Sequence, residues 1–151
     1  MKTYKDFLNE QLKLGSKERV HNCKDEEIKF KKYQQVRGAK PQGFWYGFGD
    51  SWMKWVRREM PEWEFENYFK VEVDKNKILI LDTIKKAEEF TEQYSDDPFS
   101  IEWSEVSKEY SGIEIPDYNE VSKFQWMSTW DVSSGCIWDK NAIKKIRKIN
   151  K

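Results

Sequence analysis

The spacing of apolar and polar residues divides the chain from residue 40 onward into short strands and amphipathic helices. Period-two alternation or short apolar runs predict strands at 43–46, 68–73, 78–81, 112–115, 124–130 and 136–138. Apolar residues three and four positions apart predict helices that begin after Asp50 or Ser51, Thr83, Ser100 or Ser104, and Asp139. This order, without repeats, predicts an α+β fold in a single compact domain.

The segment that precedes this pattern is polar and highly charged. Residues 11–39 contain few apolar residues, and we interpret them as a loosely packed arm with a short helix near 24–35 that leads into a domain at 40–151. Its lysine cluster at 29–32 is typical of a solvated face. His21, the only histidine in the chain, is interpreted as a surface residue.

Residues 40–55, KPQGFWYGFGDSWMKW, stand out because they combine aromatic side chains with three glycines. The pattern predicts a strand, a glycine-rich turn and a capped helix. Free backbone N–H groups at a helix start, next to aromatic rings, suit a phosphate or a nucleotide. The alternative is that these aromatic residues simply fill the core.

Composition narrows the classes of function. The chain has 27 basic and 27 acidic residues, so its net charge is zero and would not attract nucleic acid. A local patch of basic residues is still compatible with this composition. No apolar run is long enough to cross a membrane. Cys23 and Cys136 are far apart and predict reduced thiols, and a single histidine supplies too few ligands for a histidine-based metal site. We therefore expect no metal and no membrane partner.

The N-terminus, Met1-Lys2-Thr3-Tyr4, is followed by Phe7 and then by Leu8-Asn9-Glu10. It resembles the capsid-targeting peptide of internal head proteins of T-even-type bacteriophages, which is cut after a Leu/Ile-x-Glu site. The resemblance implies that residues 1–10 are removed. It also implies location in the host bacterial cytoplasm after packaging in the virion.

Three short motifs follow in order: Val71-Glu72-Val73-Asp74, Tyr110-Ser111-Gly112-Ile113, and a run at 138–143 that reads WDKNAI. Together with the order of elements they resemble ADP-ribosyltransferase-like domains. This resemblance implies a small, mostly antiparallel, split sheet flanked by helices, with NAD as a cofactor in the cleft between the two halves of the sheet.

The same resemblance implies where the site residues lie. The family carries His or Arg on its first strand and an acidic residue at the start of its last strand. Here residues 40–46 occupy the first-strand region without His or Arg, and 133–135 hold no acid. Glu114 and Asp131 are the two acids that could substitute; the ordinary alternatives are a solvent-facing strand residue and a turn residue. The expected cofactor contacts are Lys40, Trp45, Tyr46, Ser51, Trp52, Ser133 and Ser134.

Within this set Lys40 and Ser51 are expected to contact phosphate, and Tyr46 or Trp52 to stack on a ring. Three hypotheses follow. The chain is a phage ADP-ribosyltransferase-like protein that acts on host macromolecules, with a host protein as partner. It is alternatively a catalytically inactive nucleotide- or protein-binding protein that counters host defence, or a packaged internal head protein. The oligomeric state is not predicted.

Overall fold

A computed structural model describes residues 14–150, which form seven strands, four α-helices and four 3₁₀ segments. The strands are β1 (Arg19–Cys23), β2 (Phe44–Phe48), β3 (Asn67–Val73), β4 (Ile78–Ile80), β5 (Gly112–Ile115), β6 (Ser134–Ile137) and β7 (Ile143–Lys148). The α-helices are α1 (Ser51–Glu59), α2 (Ile84–Tyr94), α3 (Trp103–Val106) and α4 (Tyr118–Val121). The 3₁₀ segments are Pro61–Trp63, Lys75–Lys77, Gln125–Met127 and Lys140–Ala142.

All seven strands belong to one curled sheet in the order β4-β5-β6-β2-β1-β3-β7. Only β4 and β5 pair in parallel, so the prediction of a mostly antiparallel sheet in an α+β domain is confirmed. The sheet is continuous rather than split in two. Its shortest ladder joins β1 and β2, which share two residue pairs, Arg19 with Phe48 and Val20 with Gly47.

Most of the core is aromatic and lies between the sheet and its helices. Trp103, Trp126 and Phe90 pack against one another with ring centroids 5.5–6.0 Å apart. A second cluster, on the opposite face of β2, contains Phe44, Tyr46 and Phe48. Alternation along β2 therefore places Trp45 and Gly47 on the first face and these three residues on the second.

The N-terminal segment contributes a strand of the sheet. Strand β1 lies within the stretch interpreted as an arm, and it pairs with β3 over five residues as well as with β2. The helix predicted near 24–35 is wrong, because that stretch contains no regular structure. Strand β1 lacks an apolar alternation, since Arg19, His21 and Asn22 satisfy specific hydrogen bonds instead of filling a core.

The predicted C-terminal helix is also wrong, because residues 143–148 form β7. Its register against β3 shifts by one residue: Glu72 pairs with Lys145, whereas Val73 pairs with Ile143. This bulge lets Ile143 and Ile146, three positions apart, pack on the same cluster. A β-bulge therefore produced a spacing that is typical of a helix.

The third correction concerns residues 124–130, which were predicted as a strand. They contain the 3₁₀ segment Gln125–Met127 instead. The indole N–H groups of Trp126 and Trp130 donate to Thr91 Oγ1 and to the Ala39 carbonyl, at 3.0 and 3.1 Å. These bonds point both indoles into the core from a compact loop.

The remaining strand and helix predictions agree with the structure within a few residues, and Thr83 caps α2 by accepting from the Lys86 N–H at 3.1 Å. Residues 1–10, the predicted capsid-targeting peptide, lie outside the described residues. Among the helices of residues 14–150, none combines the length and the apolar character that a membrane crossing requires.

A test of the sheet packing uses Gly135. A Cβ at this position would lie 2.6 Å from the Tyr46 ring, which crosses over β6 at that point. We expect Gly135→Ala to lower the free energy of unfolding by about 2–3 kcal/mol, because overpacking forces the ring to move. Gly38→Ala is the control, since its Cβ would meet only the Lys40 carbonyl at 4.0 Å. Urea denaturation compares the two variants; equal midpoints would contradict this packing.

Candidate functional site

The sheet opens where β1 and β2 stop pairing, and a cavity of about 260 Å³ lies at that opening. Beyond Val20 no backbone pair joins the two strands. His21 bridges them instead: its Nδ1 lies 2.5 Å from the Trp45 carbonyl oxygen, and its ring stacks on Phe44 with centroids 4.1 Å apart. A carbonyl only accepts hydrogen bonds, so Nδ1 carries the proton and, in the neutral ring, Nε2 is left as an acceptor.

The walls of the cavity are mainly aromatic. Five indole side chains line it, from β2, from α1 and the 3₁₀ turn after it, and from the loop before β6: Trp45, Trp52, Trp55, Trp63 and Trp130. Tyr46 borders the cavity, but its side chain lies on the opposite face of the sheet, bonded to Glu114, and does not stack on a ligand ring there. Polar or charged residues that line the cavity are His21, Asn22, Lys40, Asp131 and Ser134. An apolar cavity with a few polar groups is the usual composition of a small-molecule site.

The glycine-rich turn brings α1 against β2. Gly47 has no Cβ, and an added one would lie 3.0 Å from Trp52 Cβ, while Gly49 adopts φ +59°, which favours glycine. Ser51 donates its hydroxyl hydrogen bond to the Ser133 carbonyl at 3.2 Å. The start of α1 is thus fixed to the loop before β6. Trp52 stacks on Trp55 with centroids 5.2 Å apart.

One rim of the cavity carries a cation above an aromatic ring. The Lys40 ammonium lies 5.7 Å from the centroid of Trp45, within the range of a cation–π contact. Trp45 also meets Trp130 edge to face at 5.0 Å. Trp45 is therefore held by neighbours on two sides, and an exposed positive charge lies at the mouth.

Asp131 also lines the cavity, and it does so in a strained conformation. It is exposed, lines the cavity, and has φ +67°, which makes it the only described residue other than glycine with positive φ. Such conformations cost about 1–3 kcal/mol and cluster at functional sites. The strain holds a carboxylate beside the aromatic walls.

Glu114, the other predicted acid, lies elsewhere. It is 1% exposed, accepts hydrogen bonds from Arg19 and from the Tyr46 hydroxyl, and does not line the cavity. Cross-strand pairing through Gly135 places it on the same sheet face as Tyr46, opposite Trp45. Burial, followed by the nearby Glu114 charge, raises the pKa of Tyr46 well above its usual value. Glu114 therefore joins three strands.

The structure brings six of the nine predicted site residues to this cavity: Lys40, Trp45, Tyr46, Trp52, Asp131 and Ser134. Ser51, Ser133 and Glu114 do not line it. The Ser133 hydroxyl accepts a hydrogen bond from the Tyr118 N–H at 3.0 Å, and the Ser133 carbonyl accepts one from the Phe48 N–H at 3.2 Å. Ser133 therefore supports the loop beside the cavity instead of lining the cavity. Within the described part of the chain, no cluster of three or more His, Cys, Asp or Glu could hold a metal ion.

Sequence reasoning missed three lining tryptophans as site residues and, above all, His21, whose surface assignment is wrong. His21 is half-buried in a central strand. The residues on either side of His21 do not alternate between apolar and polar, so the sequence pattern did not predict a strand there. The available signal was its uniqueness as the single histidine of the chain.

The size of the cavity limits what it can hold. Sites for drug-sized ligands usually occupy about 300–1,000 Å³, so this one accepts a single planar ring and its nearest substituents. A larger ligand would extend over the rim, where Trp63 is 48% exposed. Indole rings stack on planar heterocycles, Lys40 suits an anion, and Asp131 suits a developing positive charge.

Titration of His21 tests the buried bridge between the strands. Burial lowers the pKa of His21 from its usual 6.5, although the Trp45 carbonyl and Asp25 act to raise it. The unfolded chain therefore takes up its proton first, and this histidine makes the free energy of unfolding decline as pH falls below 6.5. Imidazole NMR signals, with one histidine to assign, should titrate below pH 6.5. A midpoint above 6.5 would contradict the burial, and His21→Gln should lack this part of the pH dependence.

Comparisons with known proteins do not assign a function, so any proposal is based on the geometry of the cavity. No family model matches the chain, and neither a curated protein nor a solved structure matches it. The two resemblances drawn from the sequence, to ADP-ribosyltransferase-like domains and to phage internal head proteins, therefore stay predictions.

Proposed function

We propose that the aromatic cavity binds the nicotinamide or adenine end of an NAD-class dinucleotide, and that the chain is an ADP-ribosyltransferase-like protein. The observation that carries the proposal is the position of the cavity. It lies where two central strands part, between indole rings, and both a cationic residue, Lys40, and an acidic residue, Asp131, line it. The three sequence motifs support the same class.

In this proposal each lining group has a chemical task. Trp45 and Trp52 contact the planar ring by stacking or edge to face. Lys40 neutralises the phosphates that extend over the rim. Transfer breaks the bond between the ribose C1′ and the nicotinamide nitrogen, so positive charge develops on the ribose. Asp131 stabilises that charge. A nucleophile of the acceptor then bonds to C1′ and releases its proton to solvent.

The biological setting is part of the proposal and rests on the N-terminal resemblance. We propose that a phage produces the protein, that it acts in the host bacterial cytoplasm, and that a host protein is its target. Packaging in the virion is the route that a capsid-targeting peptide at residues 1–10 would provide. These elements depend on residues that the structure does not describe.

A second candidate function is nucleotide binding without turnover. It is favoured by the position of Glu114, whose carboxylate is hydrogen-bonded to Arg19 and Tyr46 on the opposite face of the sheet. Asp131 is the only carboxylate that lines the cavity among the described residues. A catalytically inactive site of this kind would sequester a nucleotide, or it would present a nucleotide-dependent surface to a host defence protein.

Binding is tested first by calorimetric titration of the full chain with NAD and with ADP-ribose. We expect saturable binding, and we expect Lys40→Ala to weaken it about tenfold, because one charge-assisted phosphate contact is lost. Lys31→Ala removes an equally exposed charge that does not line the cavity and should leave affinity unchanged. If the wild-type protein bound neither NAD nor ADP-ribose, the proposal would be refuted.

Turnover is tested by nicotinamide release in the same samples. Asp131→Asn should reduce release at least about 100-fold, the usual effect of losing one preorganised electrostatic group, while NAD affinity is kept. Asparagine tolerates positive φ, so the backbone is preserved. Glu62→Gln, an exposed carboxylate outside the cavity, is the matched control. Release that survives in Asp131→Asn would remove its role, and binding without release by the wild-type protein would establish the second candidate.

A further inference from the structure

A groove of about 590 Å³ runs across β1, β3 and β7, next to the aromatic cavity. Six of its ten lining residues are cationic and two are acidic, although the chain as a whole has no net charge. The cationic residues are Lys17, Arg19, Lys70, Lys144, Lys145 and Arg147. Positive charge is therefore concentrated on this part of the surface.

Strand pairing places the key cations on one face of the sheet. Lys70 pairs with both Val20 and Arg147, and Glu72 pairs with Lys145, so these side chains share the face on which Val20 packs against α1. Lys145 and Arg147 are two residues apart along β7, which separates them by about 6.8 Å. That separation is comparable to the distance between successive phosphates along a nucleic acid strand.

Several of these cations have no ion-pair partner among the residues that the structure describes. Within residues 14–150, Lys17, Lys144, Lys145 and Arg147 form no ion pair, and all four are exposed. Lys70 is held by Glu18 at 3.0 Å, and Arg19 by Glu114. Desolvation acts to raise the pKa of Glu18, but Lys70, the Gly15 N–H and Arg147 outweigh it, so its pKa is lowered.

We propose that this groove binds the phosphate backbone of a nucleic acid. Most of its cations are lysines, which act as point charges on flexible stems and neutralise phosphates without reading sequence. Its lining contains no aromatic side chain and, apart from two valines, no apolar one. Protein interfaces rely on aromatic and apolar anchors at their centres, so an acidic protein surface fits this groove less well.

The groove continues into the aromatic cavity along a single strand. Residues 17–19 line the groove, and the next three residues, 20–22, line the cavity. A nucleic acid strand held by the groove would therefore pass the mouth of the cavity. Binding in the groove does not depend on the proposed NAD chemistry, so either proposal can fail while the other stands. It also departs from the expectation that balanced charge argues against a nucleic acid partner.

Fluorescence anisotropy of the full chain tests the groove with labelled 20-nucleotide single-stranded DNA and a duplex of the same length. We expect binding of at least one of them at low salt. Lys145→Ala combined with Arg147→Ala should weaken binding at least about tenfold, and the slope of log affinity against log salt should become shallower by about two. Lys31→Ala with Lys32→Ala removes the same charge outside the groove and should change neither.

Three results would overturn the proposal. Absence of binding at low salt would mean that the edge lysines only protect β7 from pairing with other chains. Equal losses in the two double variants would mean that net charge, not the groove, attracts the DNA. Equal or stronger binding of labelled polyglutamate, with the same dependence on Lys145 and Arg147, would assign the groove to an acidic protein.

Discussion

The buried carboxylate of Glu114 bonds to both strands of the shortest ladder in the sheet. It lies on β5 and accepts hydrogen bonds from Arg19 on β1 and Tyr46 on β2, although β1 and β2 share only two backbone pairs. A buried charge costs several kcal/mol to desolvate, and this one is compensated because both oxygens are bonded. Gly135 leaves the room that the Tyr46 ring needs to reach it. This contact therefore connects β1, β2 and β5 beside the opening of the sheet.

Strand β1 connects that contact to both candidate sites, because alternation gives its two faces different tasks. Arg19 and His21 point to the face of the Glu114 network, where one forms the ion pair and the other bridges to β2 beyond the last backbone pair. Val20 and Asn22 point to the opposite face, under α1 and beside the indoles. A displacement of β1 would therefore change the cavity and the groove together.

Sequence reasoning located the elements whose periodicity is regular, including α2 with its Thr83 cap and the half-buried strand β3. It also located the strand, turn and helix beside the cavity, because glycines beside aromatic residues indicate a turn and a capped helix. It failed where a bulge imitated helical spacing in β7 and where polar side chains fill a central strand. The basic groove was not predictable either, since its charges come from three segments that the fold alone brings together.

These failures support the assignment of the site. Natural sequences follow local rules almost everywhere and depart from them where function requires another arrangement. Two independent departures occur here: a central strand in which three of the five residues are polar, with His21 at its middle, and Asp131 at positive φ. They belong to segments more than a hundred residues apart, yet both line the same cavity. The fold alone brings these two segments together, and their meeting at one opening of the sheet is the physical basis of the proposed ligand site.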